Sequence, residues 1–408
     1  MPKRVQQDRK EKGMRCQTSR RNVTARMGWC AAWGAIAALL MGAALTAHAD
    51  DANEPAIPEF ERVVIDDDQP ERPWYKMVGD LTGDGELDAV VAGQHGPIVM
   101  YRPPDWEKIH IAEGVHDGGV RGEIADMNGN GRNDIVMGSV VWLENPSFDD
   151  GAWQGDWTVH RIGEQPTHDA LVGDLTGNGL LDVVARDQSA FGGAGDAVHI
   201  FYQREPNEWE AESLDCGHGE GVALADISGD GQLDIIAGAA WFENASGEWR
   251  PHVFAPDWEH AHVKVEAGDI NGNGRLDIVL TPAELAGEHY RISWFEAPAG
   301  DRTEPWTEHV IVEEVEAVVH ALALADFNRN GALDIAYAEM HQGQDPDEVV
   351  VMLNRDNGAG WERLVIDTEG SHDIIAADMT GNGALDIFGA NHDGDSPVVI
   401  WKNRLAAD

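Results

Sequence analysis

Short apolar runs separated by glycine, asparagine and aspartate make up most of this chain. One occurrence of the pattern contains apolar runs at residues 168–173, 182–185 and 197–202, and Trp209 opens a fourth run. Short runs of β-branched and aromatic residues bounded by turn-forming residues are typical of β-strands. No segment has a convincing helical periodicity. The pattern therefore predicts an all-β protein built from units of four short strands.

A nine-residue motif divides the chain into seven units. It reads D-x-[T/N/S]-G-[D/N]-G-x-[L/N]-D, with one arginine at the fourth position, and neighbouring copies start 43 to 57 residues apart. Self-similarity at such a period indicates a repeat architecture. Seven units of four strands predict a seven-bladed β-propeller with four-stranded blades.

An aromatic residue followed by a β-run marks the outer strand of the predicted blades, as at Trp106, Trp157, Trp249 and Trp306. One more copy starts at Phe60, before the first motif, whereas the chain finishes on a third-strand run at 398–401. We therefore expect the N-terminal strand to complete the last blade by pairing with the C-terminal strand. Such ring closure removes exposed sheet edges, which promote aggregation.

The first 49 residues differ from the rest in composition. A basic beginning is followed by an apolar stretch and by a small-residue cleavage site at Ala47, His48 and Ala49. This order is typical of a secretory signal peptide. The pair Arg20-Arg21 suggests export by the twin-arginine route. The alternative is an uncleaved membrane anchor. We predict a signal peptide at 1–49, a single propeller at 50–408, and a secreted or periplasmic location.

The formal net charge of the chain is −44 at pH 7. An excess of negative charge repels nucleic acid and anionic membrane surfaces, so neither is expected as a partner beyond the export step. Cys216 is the only cysteine after the leader, which excludes an internal disulfide. Bound cations are therefore expected to stabilise the repeats.

Oxygen-bearing side chains occupy positions one, three, five and nine of every motif copy, and glycine occupies position six. Ca²⁺ takes six to eight oxygen ligands from alternate positions around glycine turns, and such turns need a positive φ. The pattern predicts Ca²⁺ in the loops, with an ion-free Asx-turn as the alternative. The predicted ligands are Asp80, Thr82, Asp84, Asp88, Asp126, Asn128, Asn130, Asp134, Asp174, Thr176, Asn178, Asp182, Asp226, Ser228, Asp230, Asp234, Asp269, Asn271, Asn273, Asp277, Asp326, Asn328, Asn330, Asp334, Asp378, Thr380, Asn382 and Asp386.

The seven loops are not equal. The first and fourth carry three carboxylates, because Asp84 and Asp230 stand at position five, where the other copies have asparagine. Fewer charges predict weaker binding. The sixth copy also has Arg329 at the glycine position, so it is expected to be the poorest site.

The motif resembles the FG-GAP/VCBS repeat family, and the resemblance covers essentially all of the chain after the leader. It implies a propeller whose loops bind Ca²⁺ or Mg²⁺. The family includes adhesion modules, carbohydrate-binding modules and a few lyase-like enzymes, and a fold by itself assigns no activity.

Departures from the repeat indicate where chemistry is expected. If the first strand of each blade runs into its loop, the strand starts share the opposite face with the turns between second and third strands. This face is rich in histidine and acid. The candidate catalytic residues are His168, Glu220, His320, His372 and Arg186, and the candidates for holding a bound group are His95, His262, His341 and His392.

Blade order divides these residues into two groups, one on blades six, seven and one, the other on blades three, four and five. Opposite blades can share a small site only near the axis. A three-histidine or histidine/glutamate site with an open position would hold Zn²⁺ or Mn²⁺ and activate water or an enolate. Without a metal, His168 with Asp169, or His372 with Asp373, would be a general base. The alternative is a solvated funnel without chemistry.

Two functions remain open. The first is a lyase or dehydratase acting on a sugar or uronate, with Arg121 or Arg186 neutralising a substrate carboxylate. The second is a non-catalytic propeller that binds a glycan, another small polar ligand or a surface protein. Tightly bound Zn²⁺, Mn²⁺ or Fe in the purified protein would favour the enzyme, whereas rim aromatics such as Trp74, Tyr75 and Trp258 without any clustered histidine pair would favour binding. No nucleophile-elbow, H-E-x-x-H or phosphate-loop motif is present.

Overall fold

The computed structural model describes residues 56–116, 119–165, 167–187, 195–392 and 396–405, and the predicted signal peptide lies outside these ranges. Within them the chain forms thirty β-strands and no helix. Over the same ranges, no helix is present that could cross a membrane.

The strands form seven four-stranded antiparallel sheets and one small hairpin. The N-terminal strand is β1 (Phe60–Asp66); blade 1 then contains β2 (Pro73–Gly79), β3 (Asp88–Gly93), β4 (Pro97–Arg102) and β5 (Glu107–Glu113), and blade 2 contains β6 (Glu123–Ala125), β7 (Asp134–Met137), β8 (Val141–Glu144), the hairpin β9 (Phe148–Asp149) and β10 (Ala152–Trp153), and β11 (Thr158–Arg161). Blade 3 contains β12 (Asp169–Gly173), β13 (Asp182–Arg186), β14 (Ala197–Glu205) and β15 (Glu208–Asp215); blade 4 contains β16 (Val222–Ala225), β17 (Asp234–Ala237), β18 (Ala240–Asn244) and β19 (Trp249–Val253). Blade 5 contains β20 (Val263–Gly268), β21 (Asp277–Pro282), β22 (Leu285–Glu296) and β23 (Thr307–Ala317); blade 6 contains β24 (Val319–Ala325), β25 (Asp334–Glu339), β26 (Val349–Arg355) and β27 (Gly360–Asp367); blade 7 contains β28 (Asp373–Ala377), β29 (Asp386–Ala390) and β30 (Val398–Asn403).

The seven blades close into a ring. The inner strand of each blade contacts the inner strand of the next, and β28 of the last blade contacts β2 of the first. The outer strand of blade 7 is β1, which pairs with β30 so that Phe60 faces Asn403 and Val63 faces Ile400. The predicted seven-bladed propeller and its closure by N- and C-terminal strands are thus confirmed.

Apolar side chains fill the interfaces between neighbouring blades. Blades 1 and 2, for example, bury Tyr75 and Met77 against Ile135 and Leu143. Six further clusters occupy the six other interfaces. Burial of this apolar surface is the main force that holds the ring together.

A repeated amide also joins neighbouring blades. Asn354, which ends the third strand of blade 6, donates its side-chain N–H groups to the carbonyls of Leu333 in its own blade and Ile270 in blade 5. Corresponding contacts are made by Asn145, Gln203, Asn244 and Asn403. At the two remaining interfaces the equivalent residues are Pro103 and Ala297, whose side chains have no donor. We call this contact the amide latch.

Candidate functional site

Each motif forms the loop between the first and second strands of a blade. In the first loop, the carboxylate of Asp80 accepts the backbone N–H groups of Gly83, Asp84 and Gly85. The position-six glycines of the seven loops have φ between +80° and +92°, as predicted for this turn. The donor set of carboxylate, amide and hydroxyl oxygens suits a hard cation such as Ca²⁺.

The position-nine aspartates lie at the base of the loops and are buried. In the second loop, Asp134 accepts N–H groups from Met127 and Asn145, one on each oxygen. Burial nevertheless raises its pKa to about 6. In the first loop, the Oδ1 of Asp88 is buried without a hydrogen bond, and the residue corresponding to Asn145 is Pro103, which has no N–H.

The sixth and first loops each have a local peculiarity. Arg329 takes the glycine position of the sixth loop at φ +58°. In the first loop, Asp84 supplies the third carboxylate, which was predicted to strengthen ion binding. It forms an ion pair of 2.9 Å with Arg102. That guanidinium lowers the pKa of Asp84, and it would compete with a cation for the same oxygen.

Three of the predicted residues meet at the propeller axis. His168, Glu220 and His320 come from the starts of the inner strands of blades 3, 4 and 6, and one ligand atom of each lies within 4.8 Å of the others. All three stand six residues before their motif aspartate. We call this group the axial site. The group joins residues of both sets of blades, which the sequence analysis allowed only for a site near the axis.

The tautomer of His320 is set by a backbone contact. Its Nδ1 lies 2.8 Å from the carbonyl oxygen of His372 and must donate to it. Nε2 is then left as a lone pair, 3.7 Å from Oε1 of Glu220 and 3.0 Å from Oε1 of Glu284. Burial, followed by the charge of Lys264, lowers the pKa of His320 to about 4. The ring is therefore neutral at physiological pH.

The two carboxylates beside His320 are held out of water. Burial raises the pKa of Glu220, and the nearby Glu284 raises it further. Burial likewise raises the pKa of Glu284. Nε2 of His320 and both carboxylate oxygens of Glu220 are buried without a hydrogen bond to any described residue. Several acceptors facing each other in this way are stabilised by a shared proton or a cation.

His168 is supported by a charged pair. Its Nδ1 lies 3.2 Å from Oδ1 of Asp169, and the ammonium of Lys264 lies 3.9 Å from the same oxygen. Burial opposes ionisation of Asp169, but Lys264 and His168 outweigh it and lower its pKa. Burial also disfavours a charged His168, yet the Asp169 carboxylate raises its pKa. A histidine held by a carboxylate at one nitrogen is a common metal ligand at the other.

A row of imidazole rings continues from the axial site. His372 stacks on His320 with ring centres 4.3 Å apart, and His392 and then His341 follow in edge-to-face contacts at 4.3 Å and 4.1 Å. The Nζ of Lys76 lies 3.5 Å from Nδ1 of His372. Burial lowers the pKa of Lys76 to about 7 and, followed by the neighbouring histidines, lowers that of His372 well below its usual value.

The other candidates lie elsewhere. Arg186 is buried, and its guanidinium donates to the backbone carbonyls of Glu220 and Gly221; this contact joins blades 3 and 4 instead of facing a substrate carboxylate as predicted. His95 is exposed in the turn after β3. His262 is buried on blade 5, its ring 6.2 Å from that of His218.

Two of the predicted rim aromatics are core residues. Tyr75 is fully buried between blades 1 and 2, and Trp258 is buried between blades 4 and 5. Trp74 is partly exposed and stacks on His372 at 6.4 Å. Tyr75 and Trp258 therefore do not supply the rim aromatics that would have favoured a binding module.

Glu284, Lys264 and Lys76 also lie beside the axial site and were not predicted from the sequence. A signal existed for the lysines, since only four follow the leader and two of them, Lys76 and Lys264, lie on inner strands. Glu284 left no such signal, because it falls in a turn outside the repeat register.

Comparison with known proteins gives distant similarities. No protein-family model matches the chain. Integrin alpha pat-2 of Caenorhabditis briggsae is 28% identical over 260 residues, covering 50% of this chain and 21% of that protein. The Caenorhabditis elegans protein of the same name is 27% identical over 226 residues, covering 42% and 18%. The chain thus spans about a fifth of the length of these curated relatives.

Among solved structures, BBS1N in complex with ARL6DN is similar with a TM-score of 0.54 and 9% identity, covering 86% of this chain and 98% of that one. The rhamnogalacturonan lyase YesW has a TM-score of 0.46 and 13% identity, covering 84% and 75%. At these identities the likeness concerns the fold alone.

Proposed function

We propose that this chain is a secreted FG-GAP/VCBS-type propeller whose repeat loops hold Ca²⁺ and whose axial site holds Zn²⁺ or Mn²⁺. Its proposed activity is that of a lyase or dehydratase acting on a sugar or uronate. The leader of residues 1–49 supports export, and the similarity to integrin alpha over about half of the chain supports the repeat type.

One observation carries the axial part of the proposal. His320 Nε2 and the Glu220 carboxylate are buried, face each other at 3.7 Å and lack hydrogen-bond partners among the described residues. Ligand atoms of a tetrahedral Zn²⁺ at about 2.0–2.1 Å stand about 3.3–3.4 Å apart. The donor set of two histidines and a glutamate and the fixed tautomer of His320 fit such an ion, and the 3.7 Å spacing is wider than the tetrahedral value by a few tenths of an ångström.

The surrounding residues suit proton removal next to a carbonyl. The ion would polarise that carbonyl as a Lewis acid. Lys76, whose pKa burial lowers to about 7, would receive the proton at neutral pH, and the neutral His372, with its Nδ1 3.5 Å from the lysine nitrogen, would orient it. Arg121, which donates to Glu266 across the ring at 3.1 Å, is the candidate partner for a substrate carboxylate.

The second candidate function is a non-catalytic propeller that binds a glycan or a surface protein. The similarity to integrin alpha favours it, since adhesion belongs to the range that the repeat resemblance implies. Against it stand the buried Tyr75 and Trp258, which remove two of three aromatic platforms, and the clustered histidines at the axis.

The proposal is tested with the Ca²⁺-loaded protein and Zn²⁺ or Mn²⁺, screened against keto-sugars and uronate-containing saccharides. Elimination creates a double bond, which is followed by ultraviolet absorbance. We expect activity in the wild type and in His110→Ala, whose histidine is exposed on an outer strand, and loss of activity in His320→Ala. Glycan binding without turnover in all three proteins would support the second candidate instead.

A further inference from the structure

Glu284 is an acid at a backbone position that favours glycine. It lies in the two-residue turn between β21 and β22 of blade 5, and its φ is +71°. Side chains with a Cβ are strained in this left-handed region. In the two-residue turn at the same place in blade 4, the left-handed residue is Gly238, at φ +60°. A glycine at position 284 would therefore relieve the backbone strain. A glutamate at this position implies that its side chain makes a contact that compensates for the strain.

The side chain of Glu284 does not explain the strain by holding its own turn together. Glu316, on the neighbouring strand, shows what such a role looks like, since its carboxylate accepts backbone N–H groups of Gly287 and Gln344. The carboxylate of Glu284 is 4% exposed and instead reaches blade 6, with Oε1 3.0 Å from Nε2 of His320.

This contact brings two acceptors together. Nε2 of His320 carries a lone pair because Nδ1 donates to the His372 carbonyl. A lone pair and a carboxylate oxygen repel at 3.0 Å unless a proton or a cation lies between them. Glu220 adds a second carboxylate at 3.7 Å from the same nitrogen. This cluster of acceptors is one that a shared proton or a cation would stabilise, although Glu284 itself lies outside the group of His168, Glu220 and His320 whose ligand atoms are all within 4.8 Å of one another.

We propose that Glu284 is a fourth protein ligand of the ion at the axial site, and that this contact retains the strained turn. The inference rests on the proposed function of the axial site. Two histidines and two glutamates then surround the ion, and an open position for substrate requires a five-coordinate ion, as Zn²⁺ adopts in transition states. The site would be built from blades 3, 4, 5 and 6.

Three variants test this in Ca²⁺-loaded protein freed of transition metals. Glu284→Gly removes both the strain and a buried carboxylate, so we expect it to melt above the wild type. Glu284→Gln keeps the backbone and removes the charge. Ser246→Gly is the matched control, because Ser246 is an exposed residue at φ +58° in the turn between β18 and β19, the third and outer strands of blade 4; it reports the gain from backbone relief alone.

Zn²⁺ titration supplies the second readout. We expect the wild type and Ser246→Gly to bind one Zn²⁺ equally well, and both Glu284 variants to bind at least about tenfold more weakly. A Glu284→Gly protein that melts below the wild type, or that binds Zn²⁺ as tightly, overturns the role of Glu284. A wild type that binds no Zn²⁺ overturns the axial metal site as well, so the two failures are distinguishable.

Discussion

Lys264 places a positive charge at the axis of a very acidic chain. It is buried beside Asp169, and the carboxylates of Asp169, Glu220 and Asp373 raise its pKa even though burial opposes this. The ammonium thus remains charged and keeps Asp169 ionised. That carboxylate in turn orients His168. Lys264 therefore supports the axial site through Asp169 and is not itself a ligand of the site.

Replacing Lys264 by methionine should therefore destabilise the fold. The substitution leaves Asp169 buried with one partner fewer, and breaking a buried ion pair costs about 3–5 kcal/mol. Chemical denaturation measures the free energy of unfolding. Lys108→Met is the matched control, since Lys108 pairs with Asp66 at the surface and should change stability by about 1 kcal/mol or less. Equal effects of the two substitutions would contradict this account.

The candidate site was only partly predictable from the residues. His168, Glu220 and His320 stand out because they interrupt an apolar repeat at one register position. Sequence alone did not show that they meet, since this depends on how narrow the ring is at its axis. Glu284 was unpredictable, because its importance comes from a backbone angle and a contact across two blades.

At the scale of elements, the amide latch is a second repeat that the motif did not reveal. Asn354 follows its motif by twenty residues, and loops of varying length hide the regular spacing of its equivalents. The strands themselves were predicted well, because apolar runs and turn residues alternate clearly; Trp209, for instance, lies at the start of β15. The β9–β10 hairpin was not predicted, since only two residues form each strand.

Asn354→Ala should weaken the interface of blades 5 and 6. It removes the donor to two buried carbonyls, those of Ile270 and Leu333, and leaving a buried group unsatisfied costs about 1–3 kcal/mol. Thermal unfolding should begin at a lower temperature. An unchanged melting temperature would mean that water satisfies the carbonyls and that the latch adds nothing to stability.

The loops predict an unusual dependence of stability on pH. Burial raises the pKa of Asp88, Asp134, Asp182 and Asp277 to about 6 and that of Asp334 to about 7, from a usual value of 3.8. The folded, ion-free protein then binds more protons than the unfolded chain between about pH 4 and about pH 7. Its stability should increase as the pH falls through this range.

Calcium should abolish that gain, because a bound cation holds the same carboxylates ionised. The measurement is the melting temperature at about pH 5 and about pH 7, with a chelator and with saturating Ca²⁺. Ca²⁺ that leaves both melting temperatures unchanged, or that raises them equally at the two pH values, would contradict ion binding by the position-nine aspartates.

At the scale of the whole molecule, ring closure creates the site. Pairing of β1 with β30 joins the first and last strands of the propeller, and contact between β28 and β2 completes the circle of inner strands. Closure brings residues of blades 3, 4 and 6 within 4.8 Å of each other. In the proposed function, the seven loops and the axial site would give one fold two kinds of ion, hard cations in the oxygen loops and a transition metal at the histidines.

The most direct test of that division is the metal content of the purified, dialysed protein compared with His320→Ala. The account predicts several Ca²⁺ per chain in both proteins, and about one Zn²⁺ or Mn²⁺ in the wild type that is lost in the variant. A wild type without any transition metal after incubation with Zn²⁺ and Mn²⁺, or a variant with the same content, would contradict it.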